Sequence, residues 1–156
     1  MNKLLDKIGF FGPIILIFIT IMQLWNRSSY MVGYLVFLFI NTAFNGFFKI
    51  MVKQDRPHGS RSIVNEPYEG VHKYGMPSSH AQSVFYSMAY LYLTKTTPEI
   101  LIILSFISAL TLYQRWSYKQ HTLEQLLVGS VIGISVAYIG FFVTTKWLHT
   151  SSIINL

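Results

Sequence analysis

Long apolar blocks are the feature that most limits what this chain can fold into. Separated by short polar stretches, they cover residues 8–25, 30–53, 79–94, 98–114 and 121–147. At about 1.5 Å per residue, a helix of ~20 residues crosses a ~30 Å hydrocarbon core. Backbone groups inside a bilayer must pair with one another, as they do in a helix. We therefore predict an all-α fold, a polytopic transmembrane bundle of about five spans that forms one membrane-embedded domain over residues 1–156.

The composition supports a membrane protein and narrows its partners. Only 12% of the residues are charged, roughly half the ~25% that is usual in soluble domains. The net charge of +6 comes from basic residues scattered between the apolar blocks, so we expect membrane lipid or a phosphorylated lipid as partner and no nucleic acid. Cysteine is absent, which excludes disulfides and thiolate metal sites. The His, Asp and Glu spacings do not suggest a metal site, and we predict neither metal nor cofactor.

Two features inside the blocks predict helix contacts. Asn41, Asn45 and Lys49 recur every four residues and share one helical face, which is expected to point into the bundle. Gly129 and Gly133 form a small-xxx-small pattern that permits close helix packing.

In the first block, Gly12-Pro13 would bend the helix or mark its true beginning. That block lacks a small-residue cleavage site, which favours a retained span over a signal peptide.

The stretch 74–82 reads as a turn followed by a helix N-terminus. Pro77 and Ser78 are typical of a first helical turn and its cap. Such a terminus offers unpaired N–H groups and the positive end of the helix dipole, which suit a phosphate. An ordinary capped helix with a chance histidine is the alternative.

Five crossings bring the polar positions to one side of the membrane. The end of span two, the start of span three, the end of span four and the start of span five share that side, which holds Lys49, His80, Arg115 and His121. It also receives the long polar loop 54–76, which is either functional or a solvated connector. Nine of the twelve Lys and Arg residues lie on this side. Cytoplasmic loops are rich in Lys and Arg, so the count favours the cytoplasm. However, several of the nine are predicted site residues, which would be basic on either side of the membrane.

Three segments on this side form a recognisable pattern. Lys49 is followed by six residues and Arg56-Pro57; Pro77-Ser78-Ser79-His80 comes next; Arg115 is followed by five residues, His121, three residues and Gln125. This pattern resembles the signature of the type 2 phosphatidic acid phosphatase superfamily: Lys-x6-Arg-Pro, Pro-Ser-Gly-His and Ser-Arg-x5-His-x3-Asp. Order and internal spacing match over residues 49–125.

Three positions depart from that signature. Ser79 stands for the usual glycine, Gln114 for the serine and Gln125 for the aspartate. The dolichyl-diphosphatase-like branch of the superfamily is most similar, since its second and third motifs read Gly-Met-Pro-Ser-Ser-His and His-Thr-x-x-Gln, as residues 75–80 and 121–125 do here.

The resemblance implies catalytic roles for two histidines. His121 would be the nucleophile that forms a phosphohistidine, and His80 the general acid for the leaving group. Phosphoryl transfer also needs cations and N–H donors around the phosphate oxygens. The phosphate-binding residues expected to supply them are Lys49, Arg56, Ser78, Ser79 and Arg115.

The partner of the nucleophile has two candidates. The family's aspartate orients that histidine, and here Gln125 can accept one hydrogen bond but carries no charge. Glu124 could instead supply a carboxylate, since it lies three residues along the helix. We favour Gln125, which the dolichyl-diphosphatase-like branch shares.

The resemblance implies an integral-membrane lipid phosphatase that needs no metal. It would hydrolyse a polyprenyl or dolichyl diphosphate to the monophosphate and inorganic phosphate. A phosphatidate or phosphatidylglycerol-phosphate phosphatase and an inactive phospholipid-binding protein are the alternatives, so the substrate would be an isoprenoid or glycerophospholipid phosphate. A multi-pass location follows, in the endoplasmic reticulum if the source is eukaryotic or viral and in the plasma membrane if it is bacterial. Polyprenyl recycling would put the site on the lumenal or external side, against the charge count.

Overall fold

The structure, a computed structural model, describes residues 3–61 and 69–154. Over these residues the chain forms a short 3₁₀ helix at Gly70–Lys73 and five α-helices: α1 (Lys3–Leu24), α2 (Ser28–Val52), α3 (Ser79–Leu93), α4 (Pro98–Ser117) and α5 (Leu123–Ile154). An isolated bridge joins Asp55 to Tyr74. The predicted all-helical bundle is confirmed. Residues 62–68, in the middle of the predicted 54–76 loop, lie outside the described residues.

Four of the helices, α1, α2, α4 and α5, are long and apolar enough to cross a membrane. Their outward faces carry large exposed side chains; Phe39, for example, is 76% exposed. Exposed aromatic and aliphatic side chains on so many faces are what a bilayer would cover. The outer surface of the bundle is therefore lipid-facing.

The helix α3 differs from these four because it is the central helix. It has fifteen residues, about 22 Å at 1.5 Å per residue, and packs against all the others. Its interior side chains include Gln82, Tyr86 and Tyr90, which are fully or almost fully buried. Because most α3 side chains contact protein rather than lipid, α3 can contain more polar residues than a lipid-facing span.

Two helix starts differ from the sequence prediction. α1 begins at Lys3, ahead of the apolar block, and Pro13 lies inside the helix without ending it. A first turn that contains Asp6 suits the helix dipole, so the polar residues extend α1. α5 begins at Leu123, after Thr122 has capped it, and His121 consequently lies just outside the helix.

Small residues set the distance between α3 and α5. A Cβ on Gly129 would come within 2.5 Å of the Ser78 carbonyl oxygen, and one on Gly133 within 2.1 Å of the Gln82 carbonyl oxygen. The close packing predicted from the Gly129-xxx-Gly133 pattern is confirmed. It holds the first two turns of α3 directly against α5.

Hydrogen bonds show that α3 runs from one end of the bundle to the other. At its first residues, the Ser78 N–H donates to the Gln125 carbonyl at 3.1 Å. At its other end, Arg27 donates to the Thr94 carbonyl at 2.6 Å. The long loop, the α4–α5 connection and the start of α3 therefore meet at the first of these ends.

The predicted polar face of α2 points into the bundle. Asn41, Asn45 and Lys49 are all buried, as the four-residue spacing predicted. The amide of Gln82 joins α3 to this face, donating to the Asn41 side-chain oxygen at 2.9 Å and accepting from Asn45 at 2.7 Å. The start of α3 is thereby tied to α2 as well as to α5.

Candidate active site

His121 lies in the short connection between α4 and α5 and is only 2% exposed. Its Nδ1 is 2.9 Å from the Gly75 carbonyl oxygen and 3.2 Å from the Gln125 Oε1. Its Nε2 is 3.2 Å from the Arg56 Nη1. Carbonyl oxygens only accept and a guanidinium only donates, so Nδ1 carries the proton and Nε2 presents its lone pair. A neutral imidazole in this tautomer is a competent nucleophile.

Gln125 is held in one orientation by four partners. Its Nε2 donates to the Gln54 side chain at 2.8 Å and to the Asp55 carbonyl at 3.0 Å. Its Oε1 accepts from the Thr122 N–H at 3.3 Å and from the His121 Nδ1–H. Thr122 in turn accepts from the Gln125 N–H at 3.2 Å, which completes a capping box at the start of α5. Glu124 is exposed on the other side of this turn.

The glycine at position 75 leaves room for the Gln125 side chain, which a larger residue would displace. A Cβ on Gly75 would lie 2.4 Å from the Gln125 Oε1, closer than real Cβ contacts. The Gly75 N–H donates to the Gln54 carbonyl at 2.8 Å, which fixes the turn. The turn before α3 thus places the Gly75 carbonyl oxygen within hydrogen-bond distance of the His121 Nδ1.

The surroundings keep His121 neutral. Burial lowers the pKa of His121 well below its usual 6.5, and the nearby charges of Arg56, Lys49, Arg115 and His80 lower it further. Like charges and a low local dielectric both disfavour the imidazolium. The Nε2 lone pair is therefore retained at neutral pH.

Two cations are fixed by oxygen atoms close to His121. The Lys49 Nζ donates to the Tyr74 carbonyl at 2.5 Å, one residue before the carbonyl that holds His121. Arg56 donates to the His72 carbonyl at 3.1 Å and to the Gln120 carbonyl at 3.0 Å. These carbonyl oxygens are neutral acceptors that orient the two cations.

Arg115 reaches the same region from the end of α4. Its Nε donates to the Gln114 side chain at 2.7 Å, and its guanidinium carbon lies 4.9 Å from the centre of the Phe10 ring. The residue that departs from the family's serine, Gln114, thus orients the arginine. Phe10 also faces the His80 ring, with centroids 5.8 Å apart, and its backbone is hydrogen-bonded to His80.

The two serines before His80 differ in environment. Ser78 is fully buried, and its hydroxyl caps α3 by accepting from the Ala81 N–H at 3.4 Å. Ser79 and His80 are half-buried and lie in the first turn of α3, where N–H groups have no partner within the helix. Such a turn favours an anion in front of it.

The structure brings the predicted site residues to one end of the bundle, and it adds others that sequence reasoning missed. Gly75 and Tyr74 act through their carbonyls, Gln54 and Gln120 through side-chain amides, and Phe10 comes from α1. Their positions within or next to the motifs were the signal available for the first four. Nothing in the sequence pointed to Phe10.

The side chains of the remaining histidines do not belong to this site. His58, His72 and His149 are exposed, as expected for side chains outside the motifs. Within residues 3–61 and 69–154, no group of three or more His, Cys, Asp or Glu is placed to hold a metal ion.

The fold and these motifs define a family, and the comparison with family models agrees. The model described as "PAP2 superfamily" matches residues 30–149. The chain belongs to the PAP2 superfamily.

Particular relatives are proteins named Dolichyldiphosphatase 1. The one from Dictyostelium discoideum is 30% identical over 129 residues, covering 76% of this chain and 54% of the relative. Those from Plecturocebus moloch and Rhinolophus ferrumequinum are each 29% identical and cover 88% of this chain and 63% of the relative. The chain thus spans less than two thirds of the length of these relatives. No solved structure matches it.

Proposed function

We propose that this chain is a membrane-embedded lipid phosphatase that hydrolyses a polyprenyl diphosphate of the dolichyl type to the monophosphate and inorganic phosphate. The observation that carries the proposal is the tautomer of His121. Two carbonyl-type acceptors hold Nδ1–H while Nε2 faces Arg56, in a site that also gathers Lys49, Arg115 and His80. The names of the curated relatives support this substrate class.

In the first step, the terminal phosphate lies between His121 and His80. The His121 Nε2 attacks the terminal phosphorus, forming a P–N bond as the bond from phosphorus to the bridging oxygen breaks. His80 gives its proton to that oxygen, and the polyprenyl monophosphate leaves. Lys49, Arg56 and Arg115 stabilise the charge on the equatorial oxygens, with the Ser79 hydroxyl and the N–H groups of the first α3 turn.

In the second step, water hydrolyses the phosphohistidine. His80, now deprotonated, takes a proton from the attacking water as the P–N bond breaks and inorganic phosphate forms. Nδ1–H keeps its two acceptors throughout, so the imidazole returns to its starting tautomer. Gln125 carries no charge, and we assign it to orientation of His121, together with the Gly75 carbonyl.

Phosphate release from detergent-solubilised protein tests the activity. We expect release from a polyprenyl diphosphate to exceed release from phosphatidate or phosphatidylglycerol phosphate, to persist after chelation of divalent ions, and to disappear in His121→Ala. A preference for a glycerophospholipid would move the assignment to that substrate class. If no lipid substrate releases phosphate, a lipid-binding role replaces the enzymatic one.

The covalent intermediate has its own test. Rapid acid-free quenching of turnover on substrate labelled in the terminal phosphate should leave label on the peptide that contains His121. His121→Ala should leave no label, because it lacks the attacking nitrogen. Label on any other residue would reject the phosphohistidine step.

We propose the endoplasmic reticulum membrane as the location of the enzyme, a proposal supported by the multi-pass architecture and by the eukaryotic source of these relatives. A polyprenyl substrate remains in the bilayer while its phosphates enter the site at the end of the bundle. Colocalisation of a tagged chain with a reticulum marker, rather than with the plasma membrane, checks this location.

A further inference from the structure

An apolar groove between α1 and α3 ends at the candidate site. It encloses about 310 Å³ and is lined by Phe10, Phe11, Pro13, Ile14, Ser79, His80 and Ser83. The α1 side is apolar, and Ile14 is 65% exposed on the lipid-facing surface. The α3 side consists of the residues at the start of the helix, including the proposed general acid. The groove thus runs from lipid-facing surface to phosphate-binding end.

Phe10 connects the apolar and the charged parts of this region. Its ring lies 5.8 Å from the His80 ring and 4.9 Å from the Arg115 guanidinium carbon. An aromatic ring offers an apolar face to a hydrocarbon and a negative π-face to a cation. A ligand that carries a phosphate next to a hydrocarbon chain matches this change of environment. The helix that supplies Phe10 lies outside the residues matched by the family model.

We propose that the α1–α3 groove seats the first isoprene units of the substrate's polyprenyl tail, which makes α1 a specificity-determining element of the site. The inference rests on the proposed function and extends it to the lipid tail. In an in-line displacement the leaving group departs opposite the nucleophile. His80 protonates that leaving group, and the tail is attached to it. The tail must therefore depart on the His80 side, which is where this groove opens.

A second apolar groove of similar size makes this choice testable. It lies between α4 and α5, encloses about 320 Å³, and is lined by Leu112, Tyr113, Trp116, Leu123, Leu126, Leu127 and Ser130. None of these side chains belongs to the phosphate-binding set. A tail seated there would have no wall in common with His80 or Ser79. We therefore assign the tail to the α1–α3 groove.

The polyprenyl tail reaches the site from the bilayer and not from water. Removal of apolar surface from water therefore contributes nothing to the free energy of binding. Lipid chains are as apolar as the side chains of the groove, and what the groove can add is packing and orientation. We therefore expect the groove to act on turnover through the position of the diphosphate. A substrate without a tail should be insensitive to changes in the groove.

The test fills each groove in turn with a tryptophan. Ile14→Trp blocks the α1–α3 groove, Leu127→Trp blocks the α4–α5 groove, and Phe18→Trp is a lipid-facing control on α1. Each variant is assayed with a long-chain polyprenyl diphosphate and with methyl diphosphate, which has the same phosphates and no tail. We expect Ile14→Trp to lower kcat/KM for the polyprenyl substrate about tenfold or more and to leave methyl diphosphate hydrolysis unchanged. The other two variants should change neither value.

Each contrary outcome overturns the proposal. One such outcome is that Leu127→Trp, and not Ile14→Trp, lowers kcat/KM for the polyprenyl substrate. The other is that Ile14→Trp lowers kcat/KM equally for both substrates. Failure of the unmodified chain to hydrolyse any polyprenyl diphosphate would instead reject the proposed function.

Photo-crosslinking gives a measurement that does not depend on variants. The unmodified protein is irradiated with a polyprenyl phosphate that carries a diazirine in its first isoprene unit. We expect label on the peptide that contains Phe10 and Ile14. Label on the peptide of residues 123–130 would assign the tail to the other groove and overturn the proposal.

Discussion

Single residues in this site act largely through the tautomer of one imidazole. The His121 ring is placed by a main-chain carbonyl, an amide oxygen and a guanidinium, each of which has only one hydrogen-bonding role toward it. A neutral glutamine suffices for this purpose because Gly75 provides a second acceptor at 2.9 Å. The charge that the family's aspartate would bring is absent, while the orientation is kept.

Removal of the glutamine should show its share in that orientation. Gln125→Ala deletes one of the two acceptors for Nδ1–H and the capping box, and a buried hydrogen bond of about 1–3 kcal/mol corresponds to a loss of roughly ten- to a hundredfold in kcat. Glu124→Ala, a change on the exposed side of the same turn, should stay within about twofold. Steady-state phosphate release compares the two. The opposite ranking would assign the orienting role to Glu124.

The depressed pKa of His121 makes a prediction for stability. Burial and the neighbouring cations keep His121 neutral in the folded chain, while in the unfolded chain it takes up a proton as the pH falls below about 6.5. The unfolded state then binds more protons, so the free energy of unfolding should decrease by up to about 1.4 kcal/mol per pH unit below that value.

Thermal unfolding in detergent from pH 7 to pH 5 measures this effect, with His121→Gln as the matched control. The control keeps the other four histidines, namely the exposed His58, His72 and His149 and the half-buried His80, and lacks only His121. Its stability should fall less steeply with decreasing pH. Equal slopes for the two proteins would show that the His121 pKa is not depressed.

Among the helices, α3 depends most on close contact. It has no lipid-facing surface of the size that the other four have, and it is held by Gly129 and Gly133 of α5 on one side and by the Gln82 amide on the other. The first turn that should face the phosphate is thereby fixed from two directions. Residues far from the phosphate can consequently alter the site.

A methyl group at the helix contact should be costly. Gly133→Ala would place a Cβ 2.1 Å from the Gln82 carbonyl oxygen, and the resulting overpacking should lower the free energy of unfolding by about 1–3 kcal/mol. Activity should fall as well, because α3 must shift. Gly46→Ala is the matched control, since nothing lies within 4 Å of its added Cβ. It should be neutral or stabilise the chain by up to about 1 kcal/mol. A similar loss in both variants would refute the contact.

For the whole molecule, the arrangement of the chain in the membrane decides whether one site can form. Residues from α2, the long loop, α3, the α4–α5 connection and α1 meet only if the loops that carry them lie at the same end. The hydrogen bonds of Ser78 with Gln125 and of Arg27 with Thr94 define the two ends of the bundle.

Labelling of single cysteines tests this topology, since the chain has none of its own. In sealed vesicles, an impermeant maleimide should label Lys73→Cys and Thr97→Cys from opposite sides; both positions are exposed. Labelling of both from one side would remove α3 as a crossing. The side that reaches Lys73 also decides between the charge count, which predicts the cytoplasm, and polyprenyl recycling, which requires the lumen.

The sequence by itself determined the helical membrane fold, the inward face of α2, the α3–α5 contact and the family. Each depends on local periodicity or on motif spacing, which a linear chain carries in full. Tertiary structure decided the rest: the second acceptor for His121 is a main-chain oxygen, Gln54 and Gln120 act from variable positions within the motifs, and Phe10 reaches the site from a helix with no motif. Such contacts join residues far apart in sequence. Every residue has a backbone carbonyl, so residue type does not indicate which carbonyl accepts a hydrogen bond. Only the packed bundle reveals them.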